Sequence, residues 1–390
     1  MARPREILTI LCSGASLGAY VPGLLLGHQL AARGFRTDVL VLENLLPVDK
    51  RDNVHKTKFA FHRNFALARI AQKMATDIVP SLDRIRVDSL LTAWRREGRR
   101  RFIVIYGFWM PIIERYRRQV DSSGHLRFDL CHMDAATSVS WNLYDTTDPY
   151  YRHIWFFRQA ERRLPYRLPV TEDEPLPYRE RNGRFLIHGG GWGLGAYRSK
   201  IPELSARGIA LDVTVYEPDD LAERPEGHRY RGNRYFMIDP NWRAWERDAA
   251  GRHHFPPFGQ IASDGSVDFR YHDACPEVYP LVRQCQAIIS KPGGSTLVDS
   301  LSAATPLILL EPYGEYEQKN GELWQSLGFA ISYDQWAEMD FSTSVLGELH
   351  HNLLLARART PSYIESWMRP LRSRIGQCHS QLRTPMEYGV

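Results

Sequence analysis

Three times in this chain a short apolar run leads into a glycine turn, then a stretch with helical spacing, then a second apolar run. The three are "ILTILCSGASLGAYVPGLLLGHQLAARGFRTDVLVLEN" (7–44), "GRFLIHGGGWGLGAYRSKIPELSARGIALDVTVYEP" (183–218) and "QAIISKPGGSTLVDSLSAATPLILLEP" (286–312). Strand, crossover helix and strand in that order pair in parallel and cross over with one hand, so the repeat prescribes open sheets with helices on both faces. Gly34 and Gly208 stand where such helices need a left-handed residue to end. Further strands are expected at "RRFIVIYGF" (100–108) and "FDLCHMD" (128–134), and a helical stretch around Trp155, Phe156 and Phe157.

A segment rich in proline and glutamate, "LPYRLPVTEDEPLPYRERNG" (164–183), breaks every periodicity and reads as a domain boundary. The expected organisation is therefore 1–170, 171–360 and a helical segment 361–390 that packs back on the first domain. Two doubly wound domains then face each other across a cleft. Residues 239–260, "DPNWRAWERDAAGRHHFPPFGQ", follow no period and are either a loop over that cleft or a surface insertion.

Composition narrows the partners. Fifty basic residues against 45 acidic ones leave a net charge of +5 in 390 residues, too balanced for a general nucleic-acid field. The basic residues gather in the N-terminal half, at 94–102, 114–119 and 158–167, as solvated helix faces or as an attraction for an anionic acceptor or a membrane surface. Five scattered cysteines have no metal-ligand or disulfide spacing. The apolar run after the basic N-terminus continues into a strand rather than a leader, and no later run is long enough to span a membrane, so a cytoplasmic location is expected.

Glycine before a helix has a physical use. The helix N-terminus leaves N–H groups unpaired and carries about half a positive charge, so an anion binds there by geometry and field. In the second half two such turns occur, at Gly189–Gly195 and at Gly293–Gly294, the latter extended by the hydroxyls of Ser295 and Thr296. Two in one domain point to a pyrophosphate, and no GKS or GKT follows, which disfavours nucleoside triphosphate hydrolysis. Asp299, five residues past Gly294, can accept both hydroxyls of a ribose. Glu317, Gln318 and Asn320 form a polar cluster suited either to a sugar or to capping a helix.

The order "KPGGSTLVDSLSAATPLILLEP…EYEQKNGELWQSLG" resembles the donor-binding half of GT-B glycosyltransferases, above all the family of the peptidoglycan N-acetylglucosaminyltransferase, and more loosely the UDP-glycosyltransferases. "LIHGGGWGLGAY" resembles the loop that opens their second domain, and "SGASLGAYVPGLLLGHQLAARGF" their N-terminal glycine loop. The resemblance implies an α/β fold of two Rossmann-like domains, acceptor on the first and nucleotide sugar on the second. It also implies a donor site at Gly14, Ser16, Gly18, Gly190, Gly191, Gly193, Lys291, Gly293, Gly294, Ser295, Thr296, Asp299, Glu317, Gln318 and Asn320. Where the family commonly has a Gly-His base this chain has Gly18 and Ala19. Asp134 is then the first candidate base and His132 the second, both following a strand at the end where such folds do chemistry.

The function these features imply is transfer of a hexose from a nucleotide sugar, UDP-linked by the resemblance, to a small-molecule or lipid-linked acceptor, with inversion. No metal and no cofactor beyond the nucleotide sugar is expected. A nucleotide-sugar epimerase and a non-catalytic nucleotide-sugar-binding partner are the alternatives on the same fold.

Overall fold

The computed structural model describes residues 6–120, 126–221 and 232–368. Two parallel sheets organise them. The first consists of β1 (Ile7–Cys12), β2 (Arg36–Val41), β3 (Arg101–Val104), β4 (Arg127–His132) and β5 (Tyr151–Trp155), in the order β2-β1-β3-β4-β5. Helix α1 (Leu17–Ala32) crosses from β1 to β2. α2 (Val48–Arg63), α3 (Phe65–Lys73) and α4 (Arg84–Arg96) precede β3, α5 (Met110–Val120) precedes β4, and the short α6 (Val139–Asn142) precedes β5. α1 buries Leu24, Leu25, Leu26 and Leu30 against the sheet. Gly34 ends it at φ 86°, with its N–H on Ala31 O and that of Phe35 on Leu30 O, as the sequence predicts.

The second sheet runs β12-β11-β10-β6-β7-β8-β9. Its strands are β6 (Phe185–His188), β7 (Leu211–Val215), β8 (Arg234–Ile238), β9 (Phe258–Gln260), β10 (Ile288–Ser290), β11 (Leu307–Leu309) and β12 (Ala330–Ser332). All pairs are parallel except β8 with β9. The helices of this half are α7 (Tyr197–Ala206), α8 (Tyr279–Gln284), α9 (Gly294–Ala303), α10 (Glu315–Ser326), α11 (Tyr333–Glu338) and α12 (Ser344–Arg359). Strand order reverses between β6 and β10, the crevice where open α/β sheets bind ligands. Both second-half glycine turns leave from these two strands, whose ends are level because Ser290 pairs with His188. The first sheet reverses between β1 and β3.

One apolar cluster spans both halves, running from β1 and α1 through Leu297 and Leu301 of α9 to Trp324. Residues 239–260 contribute to the junction: Ala244 and Phe255 are buried, Trp242 packs edge-on against Tyr20 at 5.3 Å, and the Tyr20 hydroxyl donates to His254 O at 2.9 Å. The segment thus lies against the first half rather than out in solvent.

One local expectation changes. Trp155 ends a strand rather than lying in a helix, because the aromatic and β-branched run "YRHIW" pairs in parallel with β4 and a pleated surface suits such side chains. Phe156 and Phe157 follow it, fully buried. The start of the expected C-terminal segment meets the first sheet: the Tyr363 hydroxyl donates to Asp129 of β4 at 3.1 Å, and Trp367 packs edge-on against Phe35. Residues 369–390 lie outside the described residues. Among the described residues no helix is long and apolar enough to cross a membrane.

Candidate functional site

The carboxyl ends of the two sheets enclose a cavity of about 320 Å³. Its walls come from the start of α1 (Ser16, Leu17, Gly18), the segment after β4 (Met133, Asp134), the turn after β6 (Gly189–Trp192) and the turn after β10 (Lys291, Gly293–Thr296). Gly293 caps α9 in an extended conformation without a side-chain bond. Among the described residues the amides of Ser16, Leu17 and Gly18 at α1, and of Gly294, Ser295 and Thr296 at α9, carry no hydrogen bond within the chain. Two helix N-termini with unpaired donors therefore open into one space. Their approach is close: the Ser295 hydroxyl donates to Leu17 O at 3.2 Å, and a Cβ built on Gly191 would lie 2.5 Å from the Leu17 side chain.

Asp134 projects into this junction from the first half. Its Oδ1 accepts from Asn320 Nδ2 at 2.8 Å and lies 2.9 Å from where a Cβ on Gly294 would be. Burial raises its pKa to about 6; the Asn320 hydrogen bond lowers it, Glu317 raises it and Lys291 lowers it. The Lys291 ammonium is paired to Glu317, whose other oxygen accepts from Tyr313 N at 2.8 Å. Among the described residues Asp134 is thus the cavity carboxylate that forms no ion pair.

Several residues named from the sequence sit elsewhere. His132 does not reach the cavity: it is stacked on Trp155 at 4.0 Å and bonded through Nε2 to His153 at 2.9 Å, and burial lowers its pKa to about 3. Its ring lies behind Trp141, so the second candidate base is withdrawn. Gln318 is exposed and bonds Glu322 along its own helix. Asn320 is fully buried and bridges the halves, its Oδ1 accepting from Ala135 N at 2.6 Å; it holds protein groups rather than a ligand. Gly193, at φ 59°, faces α2, its carbonyl accepting from the His62 ring at 2.8 Å.

Gly14 is also removed from the cavity. The turn Ser13–Ala15 is already filled by the carboxylate of Glu43, which accepts from Ser13 Oγ (2.7 Å), Gly14 N (2.7 Å) and Ala15 N (2.9 Å). Ala244 covers it from outside, only 2.4 Å from a Cβ built on Gly14. A protein carboxylate takes the position an anion would occupy. The signal in the sequence was an acid closing the apolar strand "TDVLVLEN", beside a glycine turn.

Asp299 lies off the cavity wall. It is half-buried, carries no hydrogen bond, and burial raises its pKa to about 7. It shares a face of α9 with Ser295, one turn further from the N-terminus, a distance of about 6 Å along the axis.

The sequence reading did not gather the aromatic residues Tyr106, Phe108, Trp192, Tyr313 and Tyr316, nor Gln72 of α3, which line the cavity together with Trp141. Aromatic residues scattered through loops carry no period that would gather them. It also missed His62, Glu217 and Asp220, the described group whose ligand atoms come nearest to cation-binding spacing. Each carboxylate is answered there by an arginine, Glu217 by Arg63 and Asp220 by Arg198, so the group is an ion-pair knot between α2 and the second half.

No protein-family model and no curated protein sequence matches the chain. Solved structures do match in fold. SnogD, a glycosyltransferase from Streptomyces nogalater, is 13% identical over 95% of this chain and 99% of its own, with a TM-score of 0.50. MurG of Acinetobacter baumannii is 10% identical over 92% and 96%, with a TM-score of 0.50. The calicheamicin glycosyltransferase CalG4 is 10% identical over 96% and 100%, with a TM-score of 0.52. The fold is therefore the GT-B arrangement expected from the sequence.

Proposed function

We propose that the protein transfers a sugar from a nucleoside diphosphate sugar to a hydroxyl or amine of a small-molecule acceptor. One observation carries the reading: the unpaired N-termini of α1 and α9 open into a single cavity at the switch points of two facing sheets. Such ends attract a doubly charged leaving group, and preorganised donors stabilise the charge that develops on it. The fold shared with glycosyltransferases agrees with this chemistry.

In the reaction the acceptor oxygen or nitrogen forms a bond to the anomeric carbon. The bond from that carbon to the phosphate oxygen breaks, its electron pair leaving on the diphosphate, and the acceptor proton passes to Asp134. A single displacement inverts the anomeric centre, through an oxocarbenium-like transition state. A carboxyl near pH 6 is ionised at neutral pH yet basic enough to assist. No step in this scheme is routed through a metal ion.

Epimerisation by several converging acids is less well served, because the carboxylates on the cavity wall are Asp134 and Glu317, and Glu317 is held by Lys291. The carboxylate of Asp134, hydrogen-bonded by Asn320 but in no ion pair, likewise favours turnover over binding alone. Several arginines of the basic clusters of the first half pair with acids of the chain, Arg99 with Asp38, Arg115 with Asp88, Arg117 with Glu114 and Arg158 with Glu161, which reduces the charge left to attract a membrane surface. The test is nucleotide release from UDP-glucose and UDP-N-acetylglucosamine by the purified protein, with and without cell extract. Acceptor-dependent UDP release is expected; sugar isomerisation without acceptor, or binding without conversion, would replace the reading.

A further inference from the structure

Asn320 enters the cleft from α10 of the second half, yet its principal partners belong to the first. Its Oδ1 accepts from Ala135 N at 2.6 Å, and its Nδ2 donates to Asp134 Oδ1 at 2.8 Å and to Pro292 O at 2.9 Å. The amide orientation is fixed by these partners, because a flip would set donor against donor at Ala135 and acceptor against acceptor at both other contacts. The side chain is 0% exposed, so water cannot replace any of the three bonds. Pro292 belongs to the turn that opens α9. One amide therefore joins the candidate base, the end of β4 and the glycine turn.

We propose that Asn320 is a positioning residue which, from the second half, orients the proton-accepting carboxylate of Asp134 in the first, so that the base is complete only when the two halves meet. This rests on the transfer reading above. Parted from the second half, Asp134 would face water with an ordinary carboxylate's weak basicity. Closed, it loses water and gains basicity, while the Asn320 donor keeps it ionised at neutral pH. The other groups facing it are Glu317 and the Tyr316 phenol from α10, Lys291 from the turn after β10, and the N-terminus of α9.

The experiment compares Asn320→Ala and Asn320→Asp in the full-length protein. Asn320→Asp keeps the size and the acceptor for Ala135 N–H but removes both donors and sets a second carboxyl against Oδ1, so the two must share a proton. The midpoint of the acid limb of kcat against pH is expected to rise by at least about half a unit in Asn320→Ala and by more than about one unit in Asn320→Asp. A merely structural residue would lower kcat at every pH and leave the midpoint in place. The same midpoint is read without turnover from the 13Cγ resonance of Asp134 in aspartate-labelled protein, assigned with Asp134→Asn. Midpoints within about 0.3 units of the parent in the foldable variants would overturn the role of Asn320. Absence of any transfer by the parent protein would overturn the reaction instead, and the resonance would still decide the residue.

Discussion

Replacing Asp299 with asparagine should stabilise the protein and weaken it as a donor-binding protein at once. The carboxylate is half-buried, has no hydrogen-bond partner, and burial has pushed its pKa from an ordinary value up to about 7. In the native state it holds its proton between about pH 4 and 7, where the unfolded chain has released it, so stability falls as pH rises through that window and stays low above it. At about 1.4 kcal/mol per unit the ceiling is about 4 kcal/mol, and because the side chain keeps some contact with water about 1–2 kcal/mol is expected. Asp299→Asn has no charge to lose. Urea unfolding at pH 8 should show it more stable than the parent by that amount, with the difference closing near pH 4.5. The diphosphate, resting at the start of α9, would bring a ribose about 6 Å along the helix axis, to the level of Asp299. Ribose hydroxyls donating to the carboxylate favour its charged form, so donor binding at about pH 6.5 should release a large fraction of a proton, seen by calorimetry in buffers of different ionisation enthalpy. Asp299→Asn should abolish the release and lower affinity for UDP. Equal unfolding curves at both pH values would refute the desolvation argument, and unchanged UDP affinity would refute the ribose contact.

Asp134→Asn should lower kcat by about 10²- to 10⁴-fold and leave donor Kd within about twofold, as measured by UDP release and calorimetry; an unaltered rate removes the base. Gly294→Ala sets a Cβ 2.7 Å from Met133 O, a backbone atom that cannot swing aside, and should cut kcat by about tenfold or more through a parted junction while the chain still folds. Full activity in that variant would mean the two halves need not touch there. Glu43→Gln turns a donor toward Ser13, Gly14 or Ala15, all of which already donate, so unfolding free energy should fall by about 1–3 kcal/mol. A change under about 0.5 kcal/mol would show that the turn is not held by that carboxylate.

What could be read without coordinates was whatever lies within one βαβ unit. Gly34 and Gly208 end their helices at φ 86° and 77°, and Gly293 opens α9, because a residue's backbone preference acts on its immediate neighbours. The strand ending at Trp155 was misjudged since five residues of mixed polarity show no period long enough to separate strand from helix. The cavity was half legible. Gly190, Gly191, Ser295 and Thr296, donor-site candidates from the sequence, line it. The roles of Glu43, Asn320 and His62 were hidden, each being defined by a partner 28 or more residues away on another element. Pattern identifies which segments can pair; only packing decides which polar atom finds which.

Glu43 gives the cleft an asymmetry that composition conceals. With its own carboxylate lodged in the first glycine turn, Ser13–Ala15 has spent its donors on a protein anion, while the starts of α1 and α9 beyond it keep theirs unpaired. Under the transfer reading a diphosphate entering the gap would be turned away from that carboxylate and drawn between the two helix starts. On that reading the resting place of the charged end would be fixed by the fold before any substrate arrives.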